Sequence, residues 1–207
     1  MKTTDPAVAG IDVGGDMKGF HAVALRKNRI VATLATCSAS DVMSWCRAHE
    51  AVAVGIDAPC RWSSAGRARP CERELARLRM SCFSTPSRAI GEVHPFYRWM
   101  VNGAELFRLL ASEYRLYDGR LPLPDHICFE TFPQAIACRL ARNTLSARHK
   151  RVDRRRLLEK VGIATDTIAT IDEIDATLCA LTAQHVLAGS FNAYGDVSEG
   201  FILLPGR

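Results

Sequence analysis

The sequence predicts an α/β domain built on a five-stranded mixed sheet flanked by helices. Three observations lead there. Near the N terminus, three apolar runs separated by short polar turns make an antiparallel meander. A helical stretch then precedes a fourth apolar run, and a helix between strands is a crossover, which sets that strand parallel to the first. A fifth apolar run follows a longer helical region and extends the sheet in the same sense.

The first strand is Ala7-Val8-Ala9-Gly10-Ile11-Asp12-Val13, an apolar climb to one carboxylate, closed by Gly14-Gly15. The second is Gly19 to Leu25. Arg26-Lys27-Asn28 turns the chain into the third, Arg29 to Ala35. Ser38 or Ser40 caps a helix reaching about His49, with Val42, Trp45 and Cys46 on one face. The fourth strand, Val52 to Asp57, repeats the Gly-Ile-Asp of the first. Residues 60–69 read as a loop, Pro70 opens a helix over 71–80, and 84–87 is a second loop. A long amphipathic helix covers about 96–116 and ends at Tyr117-Asp118-Gly119. The fifth strand, His126 to Phe132, stops at Pro133. Helices follow over about 134–142, 152–161 and 172–187, and Gly200 to Leu204 reads as a closing strand.

At 207 residues, with 48% hydrophobic and 24% charged side chains, the chain reads as one domain, 1–207, with a helical insertion at about 60–120. No apolar run approaches the length of a membrane span, and no secretory leader precedes the first strand, so the expected location is cytoplasmic. None of the eight cysteines forms a C-x-x-C pair, which argues against a zinc site and for cysteine as a small apolar side chain.

The chemistry lies in the acids. Asp12 and Asp57 end two buried strands, and as neighbours they would stand about 5 Å apart. An unpaired carboxylate in a buried strand is costly, so two of them imply a shared cation. Glu130 on the fifth strand is expected to reach the same point with its longer side chain. On the last helix, Ile171, Ile174, Leu178 and Leu181 form the apolar stripe, which aims Asp175 toward the strands and leaves Asp172 one turn earlier. Oxygen-only ligands favour Mg²⁺ or Mn²⁺ over zinc. The expected metal set is therefore Asp12, Asp57, Glu130, Asp172 and Asp175. Asp12, Asp57, Glu130 and Asp175 would be catalytic, holding two ions across a scissile phosphate. Taken singly, each acid also has a structural reading, as an Asx turn, an arginine partner or a helix cap.

In sequence order, the pieces Gly10-Ile-Asp12, Gly55-Ile-Asp57-Ala-Pro59, Arg69-Pro-Cys-Glu72, Ser84-Thr-Pro86, Glu130-Thr-Phe-Pro133 and Asp172-x-x-Asp175-Ala176 resemble the domain-of-unknown-function 429 family. Its members are described as predicted nucleases of the ribonuclease H-like fold, and the late helix is similar to that of the Holliday-junction-resolvase branch. The resemblance implies that fold, divalent-metal hydrolysis of phosphodiester bonds, and products with a 5′-phosphate and a 3′-hydroxyl.

The formal net charge is +5. Between residues 142 and 156 the basic residues are interrupted by one acid, Asp153. Arg148, Lys150, Arg151, Arg154, Arg155 and Arg156 are the expected contacts to a phosphate backbone. The alternative is a non-catalytic module that keeps the fold to bind nucleic acid or protein. DNA or RNA, strand form and oligomeric state, a homodimer included, stay open at this level.

Overall fold

A computed structural model describes residues 5–80 and 82–206. Strands β1 (Ala7–Val13), β2 (Phe20–Arg26) and β3 (Arg29–Thr36) form the meander. Helix α1 (Ala39–Ala48) crosses over to β4 (Ala51–Asp57). The stretch after β4 holds α2 (Pro70–Arg77), α3 (Arg88–Val93), a 3₁₀ turn at Pro95–Tyr97, α4 (Arg98–Leu110) and the two-residue strand β5 (Arg115–Leu116). Strand β6 (Ile127–Glu130) leads to α5 (Pro133–Ala141), α6 (Lys150–Lys160), α7 (Ile171–Leu187) and the hairpin β7 (Phe191–Asp196) and β8 (Gly200–Pro205).

The strand order is β3-β2-β1-β4-β6-β8-β7, with β5 also on β6. Strand β2 is antiparallel to β1 and β3, whereas β4 and β6 run parallel to β1. The arrangement β3-β2-β1-β4-β6 is that of the ribonuclease H-like fold. The sheet has eight strands rather than five. Strand β5 is too short to show a pattern, and β7 reads as polar loop because its sequence, Phe-Asn-Ala-Tyr-Gly-Asp, carries no apolar alternation. No helix among the described residues is long and apolar enough to cross a membrane.

Two cores lie on the two faces of the sheet. Ala9, Ile11, Val54, Ile56 and Cys128 pack toward α1 and α4. Val8, Ala53, Ile127 and Phe129 pack with the inner side of α7. Glycines set how near α7 comes. A Cβ on Gly10 would run into the backbone of Ala176 and Ala180, and one on Gly55 would lie 2.7 Å from Cys179 O. Since side chains alternate along a strand, Gly10 and Asp12 share a face, as do Gly55 and Asp57. The glycines thus draw α7 against the strands just where the acids emerge. Gly10→Ala is expected to lower unfolding stability by about 3 kcal/mol, because backbone cannot yield as a side-chain tip can. Urea titration measures this, and a loss below about 1 kcal/mol would mean that α7 shifts freely.

Candidate metal centre

Each acid reaches the site for a local reason. Asp12 and Asp57 are Cα partners at the ends of the parallel pair β1–β4. Thr170 caps α7 and exchanges hydrogen bonds with Glu173 in a capping box, which starts the helix so that Asp172 lies in its first turn. Asp175 follows one turn later and is 5% exposed, Asp12 is 4% exposed, and Asp57 is half-buried.

Two residues that the sequence argument passes over complete the cluster. His21 on β2 is the antiparallel partner of Asp12. One ligand atom each from Asp12, His21 and Asp172 fall within 4.8 Å of one another. The hairpin register was the available signal: a turn over 14–19 pairs Val13 with Phe20 and hence Asp12 with His21. The second residue is Lys18, in that turn. Its Nζ lies 2.7 Å from Asp12 Oδ2 and 2.7 Å from Asp172 Oδ1.

The electrostatics are those of crowded carboxylates. Burial pushes Asp12 up, partly offset by Lys18, and Asp172 raises it further. Burial holds Asp57 well above the usual carboxylate range, with Asp12 and Asp175 adding to it. No side-chain hydrogen bond of Asp57 is found among the described residues. Asp175 is pushed up to about 6, burial outweighing its ion pair with Arg154. Burial works against the Lys18 ammonium, but Asp12 and Asp172 outweigh it and raise it to about 12.

The cluster holds more carboxylates than Lys18 and Arg154 pair off, since neither forms an ion pair with Asp57 among the described residues. Among the described residues, the buried side-chain polar atoms without a hydrogen bond are Asp12 Oδ2, His21 Nδ1 and Arg154 Nε, all at this cluster. Lys18 neighbours the first of them at ion-pair distance, without the alignment of a hydrogen bond. Arg154 Nε is a donor and takes no metal, but an imidazole nitrogen without a partner beside repelling carboxylates fits a divalent ion. Carboxylate oxygens suit Mg²⁺ or Mn²⁺, and the imidazole nitrogen suits the transition ion of the two.

A pH dependence follows. The folded-state pKa of Asp175 lies above its unfolded value of 3.8. Its contribution to stability is therefore complete below the unfolded pKa and is lost as pH rises through about 6. Metal-free protein is expected to melt lower near pH 7 than near pH 5, with Mn²⁺ reversing the order. Asp175→Asn should flatten the metal-free slope. An unchanged slope in that variant would separate Asp175 from the effect.

Glu130 is not brought into the cluster. It pairs in register with Ile56, one residue before Asp57, and so faces the opposite side of the sheet. There the Arg69 guanidinium donates to both its oxygens, at 2.9 and 2.5 Å, and Cys60 N–H donates at 2.9 Å. Arg69 also donates from Nε to Glu72 at 2.8 Å, and Glu72 accepts from the Thr85 amide and hydroxyl. Three of the motif pieces, Arg69-Pro-Cys-Glu72, Ser84-Thr-Pro86 and Glu130-Thr-Phe-Pro133, thus meet in one buried ion network.

The basic stretch divides as well. Arg154 is 5% exposed, paired to Asp175 and donating to Gln134 Oε1 at 2.7 Å, so it belongs to the interior and not to a phosphate-binding surface. Arg155 donates to the carbonyls of Thr165 and Ile168, and Arg151 to that of Ala169; both brace the loop before α7. Helix α6 turns Arg154 inward and Arg155 partly so, because a helix cannot put consecutive residues on one face. Arg148, Lys150, Arg151 and Arg156 are exposed. The ion pair of Arg154 with Asp175 places α6 beside the acids.

A family model described as "Protein of unknown function (DUF429)" matches residues 10–199. A solved RuvC structure from Thermus thermophilus is similar over 88% of this chain and 96% of its own, at 14% identity and a TM-score of 0.48. No curated protein matches.

Proposed function

The chain belongs to the domain-of-unknown-function 429 family, and from the acid cluster we propose that it is a divalent-metal-dependent hydrolase of phosphodiester bonds in nucleic acid. The observation that carries the reading is the gathering of ligand atoms from three separate elements, those of Asp12, His21 and Asp172 within 4.8 Å of one another, with Asp57 the Cα partner of Asp12. Asp12, Asp57 and Asp175 would hold Mg²⁺ or Mn²⁺, with Asp172 and His21 beside them. Bound there, the ion would supply a water of lowered pKa and charge stabilisation at the phosphate. The chain's own part is to hold the carboxylates together: α7 is pressed onto β1 and β4, and Arg154 fixes Asp175. All eight cysteines are free thiols, which suits the proposed cytoplasmic setting.

The test is a cleavage screen over single-stranded, duplex and branched DNA and RNA with Mg²⁺ or Mn²⁺, with chelator and Asp12→Asn as controls. Cutting that survives both controls would sink the proposal. One observation favours a second reading, a non-catalytic binding module. Lys18 already neutralises two of the acids, as a relative that needs no metal would have it. Binding without cutting in every form would select that reading.

Both readings place phosphate contacts on the exposed residues of α6 and the turn before it. Arg148→Ala with Lys150→Ala and Arg156→Ala is expected to weaken nucleic acid binding about tenfold or more at low salt, and to lower the salt slope by roughly two to three. Binding titrations at several salt concentrations read this. An unchanged slope would move the contact surface elsewhere.

A further inference from the structure

The Lys18 ammonium sits where the Asp12, His21 and Asp172 ligand atoms converge, the one group of three such residues found close enough to hold an ion among the described residues. Its place is built rather than incidental. The stem of Lys18 lies over Gly14, where a Cβ would meet Lys18 Cβ, Cγ and Cδ at 2.5–2.6 Å. The turn closes on itself through Gly14 N–H to Gly19 O at 2.7 Å and Gly19 N–H to Gly15 O at 2.8 Å. From α4, Asn102 donates to Gly14 O at 2.9 Å, and Arg98 grips Asp16 with both Nε and a terminal nitrogen at 3.1–3.2 Å. A flexible surface lysine has no such footing.

We infer that Lys18 is a resident cation that takes the place of one divalent ion, so that the centre binds a single Mg²⁺ or Mn²⁺, on the Asp57 side of Asp12. Two facts locate that remaining ion. Asp57 is the Cα partner of Asp12 at the ends of β1 and β4 and has no hydrogen-bonding partner among the described residues. Lys18, by contrast, holds Asp12 and Asp172, the pair on the other side. The inference rests on the metal-centre reading and revises the two ions expected from the sequence to one ion and one ammonium. In a working site the ammonium would face a phosphate oxygen as a fixed positive charge, which no chelator removes.

The experiment is calorimetric titration of the full chain with MnCl₂, after chelator treatment, for wild type, Lys18→Met and Lys18→Arg. Wild type and Lys18→Arg are expected to bind one ion. Lys18→Met keeps the bulk of the stem without the charge and should bind a second. Its metal-free melting temperature should fall below that of wild type and be restored by Mn²⁺. Any wild-type stoichiometry other than one overturns the inference, as does a Lys18→Met protein with unchanged stoichiometry. If Lys18→Met does not fold, Lys18→Gln is titrated under the same criteria. Cleavage is scored separately. A protein that cuts nucleic acid with two ions bound keeps the hydrolase reading and loses this inference. One that binds a single ion and cuts nothing does the reverse.

Discussion

Asp57→Asn is expected to abolish cleavage, by about a thousandfold or more, and at the same time to make the metal-free protein more stable. The two effects share one cause. Asp57 is a half-buried carboxylate without a hydrogen-bonding partner, and its ionised form is opposed by burial and by two neighbouring acids. Losing a ligand that holds a catalytic ion removes several kcal/mol of transition-state stabilisation, and each 1.36 kcal/mol is tenfold in rate. Neutralising the same side chain relieves the repulsion and should add about 1 kcal/mol to unfolding stability, the usual direction when a functional group is removed from a strained site. The wild type's Mn²⁺-induced rise in melting temperature should shrink accordingly. A variant that is less stable than wild type, yet still responds fully to Mn²⁺, would make Asp57 a structural residue.

Arg69→Met is the second large effect, expected to destabilise the protein by about 3–5 kcal/mol. Arg69 is 1% exposed and serves Glu130 and Glu72 together. Removing it strands two buried carboxylates, and breaking a buried pair costs far more than the pair itself is worth. The stranded acids can recover by taking up protons, so the loss should be smaller near pH 5 than near pH 7. Adding Glu130→Gln to Arg69→Met should restore part of the stability, because the two residues are coupled. Glu130→Gln alone discriminates between roles: it should leave the Mn²⁺ response intact, whereas a metal ligand would lose it. Urea denaturation of the four proteins, with and without Mn²⁺, decides both points.

Patterns of period two and 3.6 made the central sheet and the long helices legible, since each apolar run has one face to bury. The convergence of Asp12 with Asp57 was legible too, because both end parallel strands after the same Gly-Ile-Asp. Glu130 shows where such reading stops. Whether a strand-end carboxylate faces one side of the sheet or the other depends on a one-residue register, and no local residue reports the register between β4 and β6. Its actual partner, Arg69, lies 61 positions away in sequence. The arginines of α6 failed similarly: charge density marks a basic stretch, but only the helix phase and the neighbouring carbonyls separate Arg154 and Arg155 from Arg148 and Arg156. Lys18 and His21 were reachable from the hairpin register alone. They were passed over because a turn lysine and a strand histidine look unremarkable until Asp12 is drawn opposite them.

The ion network under Arg69 also bears on time. The Thr85 and Cys60 amides donate to the carboxylates of Glu72 and Glu130, so the root of the helical insertion is bonded to the sheet by charge rather than by loop contacts. Freeing it would expose three buried ions at once, an excitation comparable to opening the whole domain. Both amides should therefore be among the slowest to exchange with solvent. The root of the insertion is then expected to stay fixed on the sheet rather than to open as a lid.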